Sequence, residues 1–237
     1  MTSAETEQID FSKYWQESGI GIKPNSTTLN PEFINILKSI NPGTYLDVGC
    51  GTGQLKIALP HHHSLIGIDQ DESAIEEAQA QNYDNAKFAV ASAENILFPD
   101  NTFDGTFLMG ILGSVNQETR AQITNEAIRV TKPEGTIYIA EFAVITDPQI
   151  RTSFGKKWVD VYRDDEPKTG EAGTVIVLNP DQTPKFLAHH FTDDELIKIA
   201  KNSGIGEIEI RKVQITSSVS GLKRDNWNLW GNKLMPI

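Results

Sequence analysis

The sequence of 237 residues holds one cysteine, Cys50, which excludes an internal disulfide and a cysteine-built zinc site. Basic residues are also scarce: 21 Lys and Arg stand against 32 Asp and Glu, a formal net charge of −11. That balance argues against nucleic acid as a partner, because affinity for phosphates comes largely from Lys and Arg contacts. The adjacent basic pairs near possible binding loops, Lys156-Lys157 and Lys223-Arg224, read as solvated surface. Long apolar runs are missing too. The longest mostly apolar stretch, "TIYIAEFAVI", is interrupted by Glu141 and is too short to span a bilayer, so no membrane is expected. The opening "MTSAETEQID" is polar and acidic, unlike a signal peptide. A reducing, cytoplasmic setting is the expectation.

What is present suits a packed core: 38% of the residues are hydrophobic and 22% charged. From residue 44 short apolar runs alternate with helical stretches, the pattern of an α/β protein with a mostly parallel sheet. Strands are predicted at 44–50, 64–70, 87–93, 103–112 and 135–144, and helices after Gly53, at 71–82 and at 116–130. Regularity breaks near residue 146, and within the polar stretch that follows only 174–179 reads as a strand. Thr192 is placed to N-cap a helix that Gly204 ends. Residues 207–216 and 226–234 read as a terminal hairpin. One domain is expected: helical segments at 1–40, a core at 41–145, a cap insertion at 146–190, and a closing helix and hairpin at 191–237.

The stretch "YLDVGCGTGQ" places Gly49, Gly51 and Gly53 behind a buried strand. Such glycines let the backbone turn tightly and approach a ligand closely. A dinucleotide fingerprint needs its third Gly five residues after the first, and here it is four after, with Gln54 next. No Gly-Lys-Ser/Thr follows, which excludes a nucleoside-triphosphate loop. Asp69 ends the second strand, where a carboxylate can accept from both hydroxyls of a ribose. "ASAEN" ends the third, beside the place for an adenine. These signals describe an adenosine carrying something other than a diphosphate.

"LDVGCGTG", "GIDQDESAIEEA", "ASAENILFPDNTFDGTF" and "AIRVTKPEGTIYIAE" resemble, in order, the motifs of class I S-adenosylmethionine-dependent methyltransferases over about residues 44–144. The resemblance implies a Rossmann-like, mostly parallel seven-stranded sheet with helices on both faces, a C-terminal antiparallel hairpin and a small cap insertion. It also implies S-adenosylmethionine as cofactor and S-adenosylhomocysteine as product. Carried to this chain, Asp47 would support the glycine loop and the cofactor's amino end, and Gly49, Gly51 and Gly53 would admit its methionine part. Asp69 would hold the ribose and Gln70 would border the adenine. Ser92, Ala93 and Glu94 match a segment that usually reads Asp-Ala-Glu, so the adenine amino contact is weaker here or made by backbone atoms. Met109 and Gly110 would face the amino-acid end, and "FSKYWQESG" resembles the lid helix, with Tyr14 closing over the cofactor.

Methyl transfer is a direct displacement that needs alignment and dryness, and a base only for an acceptor that holds its proton tightly. The acceptor site is expected under residues 146–190, where Phe154, Trp158, Tyr162 and Phe186 either line it or pack a satellite core. His189 and His190 are the candidate catalytic residues, with at most one facing the acceptor. Glu141 faces the site or lies near a strand exit. The tract His61-His62-His63 lacks carboxylate or cysteine company, and no metal is expected. A small soluble acceptor is the expected substrate. The alternatives are a tRNA base and a non-catalytic, cofactor-binding regulatory role.

Overall fold

The computed structural model describes residues 31–152, 154–216 and 223–235, so the expected lid role of Tyr14 lies outside the described residues. Among the described residues nine strands form: β1 (Thr44–Val48), β2 (Ser64–Asp69), β3 (Ala86–Val90), β4 (Phe103–Met109), β5 (Thr131–Phe142), β6 (Thr174–Leu178), β7 (Pro184–His189), β8 (Ile205–Thr216) and β9 (Lys223–Lys233). Seven of them build one sheet in the order β3-β2-β1-β4-β5-β9-β8. β1 to β5 pair in parallel, while β9 runs antiparallel between β5 and β8. The parallel sheet and the terminal hairpin are thus as the sequence predicts.

Alternation along the strands divides the core between the two faces of this sheet. Tyr45, Phe107 and Tyr138 point to one face, where they meet Phe33 and Leu37 of α1 (Pro31–Ser39), Leu55 of α2 (Leu55–Ala58) and Ile75 of α3 (Glu72–Ala80). Their neighbours Leu46, Leu108, Ile137 and Ile139 point to the other face. There they pack on Ile123 and Ala127 of α4 (Gln117–Val130) and on Leu196 and Ala200 of α6 (Asp193–Asn202). Each such fully buried side chain stabilises the fold by about 1.5–3 kcal/mol. Short polar side chains start the helices: Asp71 accepts from the Ser73 and Ala74 amides, Asn116 from Thr119, and Thr192 from Glu195.

Three local expectations need correction. β4 stops at Met109 instead of running to residue 112, because Gly110 turns at φ +73° and a 3₁₀ turn, Leu112–Ser114, follows. β5 starts at Thr131, before the Lys132–Gly135 stretch, which bulges with Glu134 at φ +63°. Thr131 is drawn into the sheet by its hydroxyl, 2.6 Å from that of Thr106 and 2.7 Å from the Ala127 carbonyl. The cap insertion holds more than one strand: α5 (Trp158–Thr169) precedes a β6–β7 hairpin. The polar run "WVDVYRDDEPKT" with Pro167 conceals that helix, whose buried Asp165 accepts from the Ile176 amide of β6 at 3.0 Å. Among the described residues no helix is long and apolar enough to cross a membrane.

Candidate functional site

β1 lies between β2 and β4, so the chain reverses direction across the sheet beside it, and the crevice outside such a switch point is where α/β sheets bind ligands. Two turns meet there. The turn after β1 carries Gly49, Gly51 and Gly53 at φ +73°, +50° and +78°, a region that penalises any side chain. A Cβ on Gly49 would lie 2.8 Å from Ile111 of the turn after β4, and one on Gly53 would lie 2.6 Å from the Phe88 ring. A Cβ on Gly51 would meet nothing within 4 Å. Gly49 and Gly53 are therefore glycines for the fold. Gly51 exposes bare backbone to open space.

Two carboxylates support that turn. Asp69 accepts from the Gly51 amide at 2.9 Å through Oδ2 and from the Asp71 amide at 3.0 Å through Oδ1. Asp47 is only 2% exposed, and burial followed by the charge of Asp69 pushes its carboxyl up to about 8. The Gln54 carbonyl oxygen Oε1, just beyond Gly53, is buried with no hydrogen-bond partner among the described residues. A buried acceptor of this kind is satisfied by a donor from a ligand or from an ordered water. The site thus offers acceptors and negative charge, which suits a cationic ligand and repels a pyrophosphate. Cys50 is buried, and its thiol is pushed well above the ordinary range by burial and by Asp47 and Asp69, so it is no nucleophile.

Gln70 is exposed where β2 ends. Past β3, Ser92 and Glu94 are exposed and Ala93 is half-buried. The Ser92 hydroxyl accepts from the Glu94 amide at 3.1 Å, a local turn that occupies the side chain standing in for the family's Asp. Met109 and Gly110 are half-buried where β4 ends, with the Gly110 amide donating to Ala140 at 2.8 Å. Asp47, the three glycines, Asp69, Met109 and Gly110 therefore gather around neighbouring strand ends.

The two histidines point into different surroundings. His189 is 2% exposed, with Nδ1 2.7 Å from the Thr174 hydroxyl and Nε2 3.0 Å from both Glu195 oxygens. Its ring is enclosed by structural partners. His190 places Nδ1 2.6 Å from the Tyr162 hydroxyl, with the rings of Trp158, Tyr162 and Phe142 centred 5.2–5.8 Å away. The aromatics Trp158 and Tyr162 thus gather beyond the end of β5, whereas Phe154 is 44% exposed and Phe186 is buried. Glu171, His189 and Glu195 bring ligand atoms within 4.8 Å of one another, as a divalent cation would require. Both Glu171 oxygens are already engaged by Arg120, and one also by Thr174, which makes the trio an ion-pair network. His63 of the tract at 61–63 is buried at the opposite end of β2.

Sequence reasoning missed Gln54, whose isolated position after the glycines gives no signal. It also missed Arg120, which looks like an ordinary surface residue of a polar helix yet is 2% exposed.

A central parallel strand leading into an acid-supported glycine turn defines a doubly wound α/β protein with its ligand crevice beside β1. Residues 46–135 match the methyltransferase domain family. An O-methyltransferase, rstn1, of Aspergillus nomiae is 32% identical over 153 residues, 60% of this chain and 67% of that protein. A ubiquinone/menaquinone biosynthesis C-methyltransferase of Rickettsia bellii is 32% identical over 198 residues, 77% of this chain and 75% of that protein. Among solved structures, a SAM-dependent methyltransferase of Methanosarcina mazei shares 27% identity and a TM-score of 0.75, covering 88% of this chain and 99% of that one. The chain belongs to the class I S-adenosylmethionine-dependent methyltransferases.

Proposed function

We propose that this protein transfers a methyl group from S-adenosylmethionine to a small soluble acceptor, leaving S-adenosylhomocysteine. The observation that carries the reading is Gly51, whose bare α-carbon faces open space while its amide is held by Asp69. A carboxylate offers about four acceptor directions. Asp69 uses one on each oxygen for backbone amides, which keeps one on each for the two ribose hydroxyls. Asp47 and Gln54 Oε1 supply the acceptors for the ammonium end, next to Met109 and Gly110. Gln70, Ser92, Ala93 and Glu94 border the adenine, the last contacts running through backbone atoms because the Ser92 hydroxyl is engaged.

Bound there, S-adenosylmethionine supplies a methyl already activated by its positive sulfonium. The chain must align the acceptor and exclude water. Trp158, Tyr162 and Phe142 provide an apolar wall for it at the end of β5. Of the two histidines, His190 is assigned to position or deprotonate the acceptor and His189 to hold the cap. O- and C-methyltransferases of small molecules among the relatives support a small acceptor, and so does the net charge of −11, which disfavours RNA. The single unbonded cysteine fits a cytoplasmic setting.

The test is incubation with methyl-labelled cofactor and a cell extract separated into metabolite, RNA and protein fractions. Label is expected in the metabolites, and only with intact Asp69. Label confined to RNA or protein would overturn the acceptor class, and cofactor binding without any transfer would overturn the catalytic reading.

A further inference from the structure

Leu112 occupies the turn after β4, and its peptide is gripped from both sides. Its amide donates to Glu141 Oε1 at 2.7 Å, and the next amide, of Gly113, donates to Glu141 Oε2 at 3.2 Å. Its carbonyl accepts from Arg120 Nε at 2.9 Å. Glu141 and Arg120 come from β5 and α4 and are 1% and 2% exposed. Burying a guanidinium and a carboxyl group is costly unless their hydrogen bonds are satisfied, and water would serve an ordinary turn just as well. Such a grip makes sense where the position of the turn matters.

The grip continues into the cap. The remaining Arg120 nitrogens form a fork on both oxygens of Glu171, which lies between α5 and β6. Glu171 Oε2 also accepts from the Thr174 hydroxyl at 2.7 Å, and that hydroxyl is 2.7 Å from His189 Nδ1. His189 then reaches Glu195 of α6. The cap strand lies directly on the turn, because a Cβ on Gly113 would be 2.8 Å from the His189 carbonyl. On the other side of the turn, Ile111 rests against Gly49 of the glycine loop.

We propose that Arg120, Glu141 and Glu171 are positioning residues that lock the cap to the Leu112 turn and thereby set the glycine loop for the cofactor. The proposal rests on the methyltransferase reading. It adds a physical link between the acceptor side, built by the cap, and the cofactor side, built by the loops after β1 and β4. An undocked cap leaves Arg120 without its carboxylate fork, frees the Leu112 carbonyl and loosens Ile111 from Gly49.

The experiment compares the intact chain with Glu141→Gln, Glu171→Gln and the double variant, reading amide hydrogen exchange at Leu112 and Gly113 together with S-adenosylhomocysteine affinity by calorimetry. Each single variant should exchange at least about tenfold faster at those two amides and bind several-fold more weakly. Melting of Glu171→Gln should stay cooperative and near that of the parent. The double variant should cost less than the product of the single effects, as members of one network do. Parental exchange and parental affinity in Glu171→Gln would overturn the proposal, and so would independent effects in the double variant. Should Glu141→Gln fail to fold, Glu171→Gln decides, since its side chain is 27% exposed and tolerates substitution. A parent protein that binds no S-adenosylhomocysteine would instead sink the cofactor reading, with exchange still deciding whether the clamp exists.

Discussion

The Asp69 carboxylate accepts a hydrogen bond from the Gly51 amide at 2.9 Å, joining the end of β2 to the turn after β1. Eighteen residues separate the two in the chain, and the parallel pairing of β1 with β2 brings them together. Strand order thereby makes one site of two motifs.

Replacing Asp69 by Ala should weaken S-adenosylmethionine binding by about a hundredfold or more. The change removes the ribose contacts and frees the loop amide, and charge-assisted hydrogen bonds contribute roughly 1.5–3 kcal/mol each. Asp69→Asn should fall between, because the amide keeps one acceptor. Calorimetry giving equal affinities for parent and Ala variant would refute the ribose assignment.

The glycines should separate into two kinds. Gly51→Ala meets open space and costs only the left-handed backbone penalty of about 1–2 kcal/mol, yet should abolish cofactor binding by filling the ligand's space. Gly53→Ala should destabilise the fold by about 2–5 kcal/mol, since strain adds to collision with Phe88. Thermal melts paired with binding titrations check both. A Gly51→Ala protein with parental affinity would remove the basis of the functional reading.

Cofactor binding should release a proton. The Asp47 carboxyl is raised from its ordinary 3.8 to about 8, so its contribution to stability is complete below about 3.8 and is lost as pH rises through about 8. Glu141, raised from 4.5 to about 8 by burial, acts in the same direction. A bound sulfonium and ammonium favour the ionised form of Asp47, so affinity should increase with pH up to about 8. Asp47→Asn should flatten that profile. Titrations in buffers of different ionisation heat would count the proton, and a count of zero would exclude the coupling.

Acid should destabilise the other end of the sheet. His63 is buried with no partner for either ring nitrogen among the described residues, its ring 5.2 Å from that of Tyr45 and 4.0 Å from that of His62. Lys56 donates to its carbonyl at 3.1 Å. Burial, with His62 and Lys56 nearby, lowers its pKa from 6.5, so its stabilising contribution is present above about 6.5 and is lost as pH falls below that value. His63→Phe should fill the same space and raise the melting temperature most under acid conditions. An unchanged difference between melts near pH 5 and pH 7.5 would show that another group governs acid stability.

Local rules written in the chain were enough for the glycine turn, for Asp69 at a strand end, for the cap at Thr192 and for the parallel core. Each depends on residues a few positions apart, where backbone geometry and side-chain period act directly. The same rules failed in the cap. The α5 helix is held by Asp165 reaching the Ile176 amide of β6, and β7 by pairing with β6. Neither contact leaves a periodic trace in the sequence. Glu141 could be read two ways from its strand alone, and only the fold turns it onto Leu112 and Gly113. Arg120 and Glu171 lie 51 residues apart, and their pairing follows from where the cap folds back onto α4. Amino-acid sequence by itself determined the ligand class, because backbone conformation and strand-end chemistry are local. Tertiary structure decided which charged groups are buried together, because burial is a property of the packed whole.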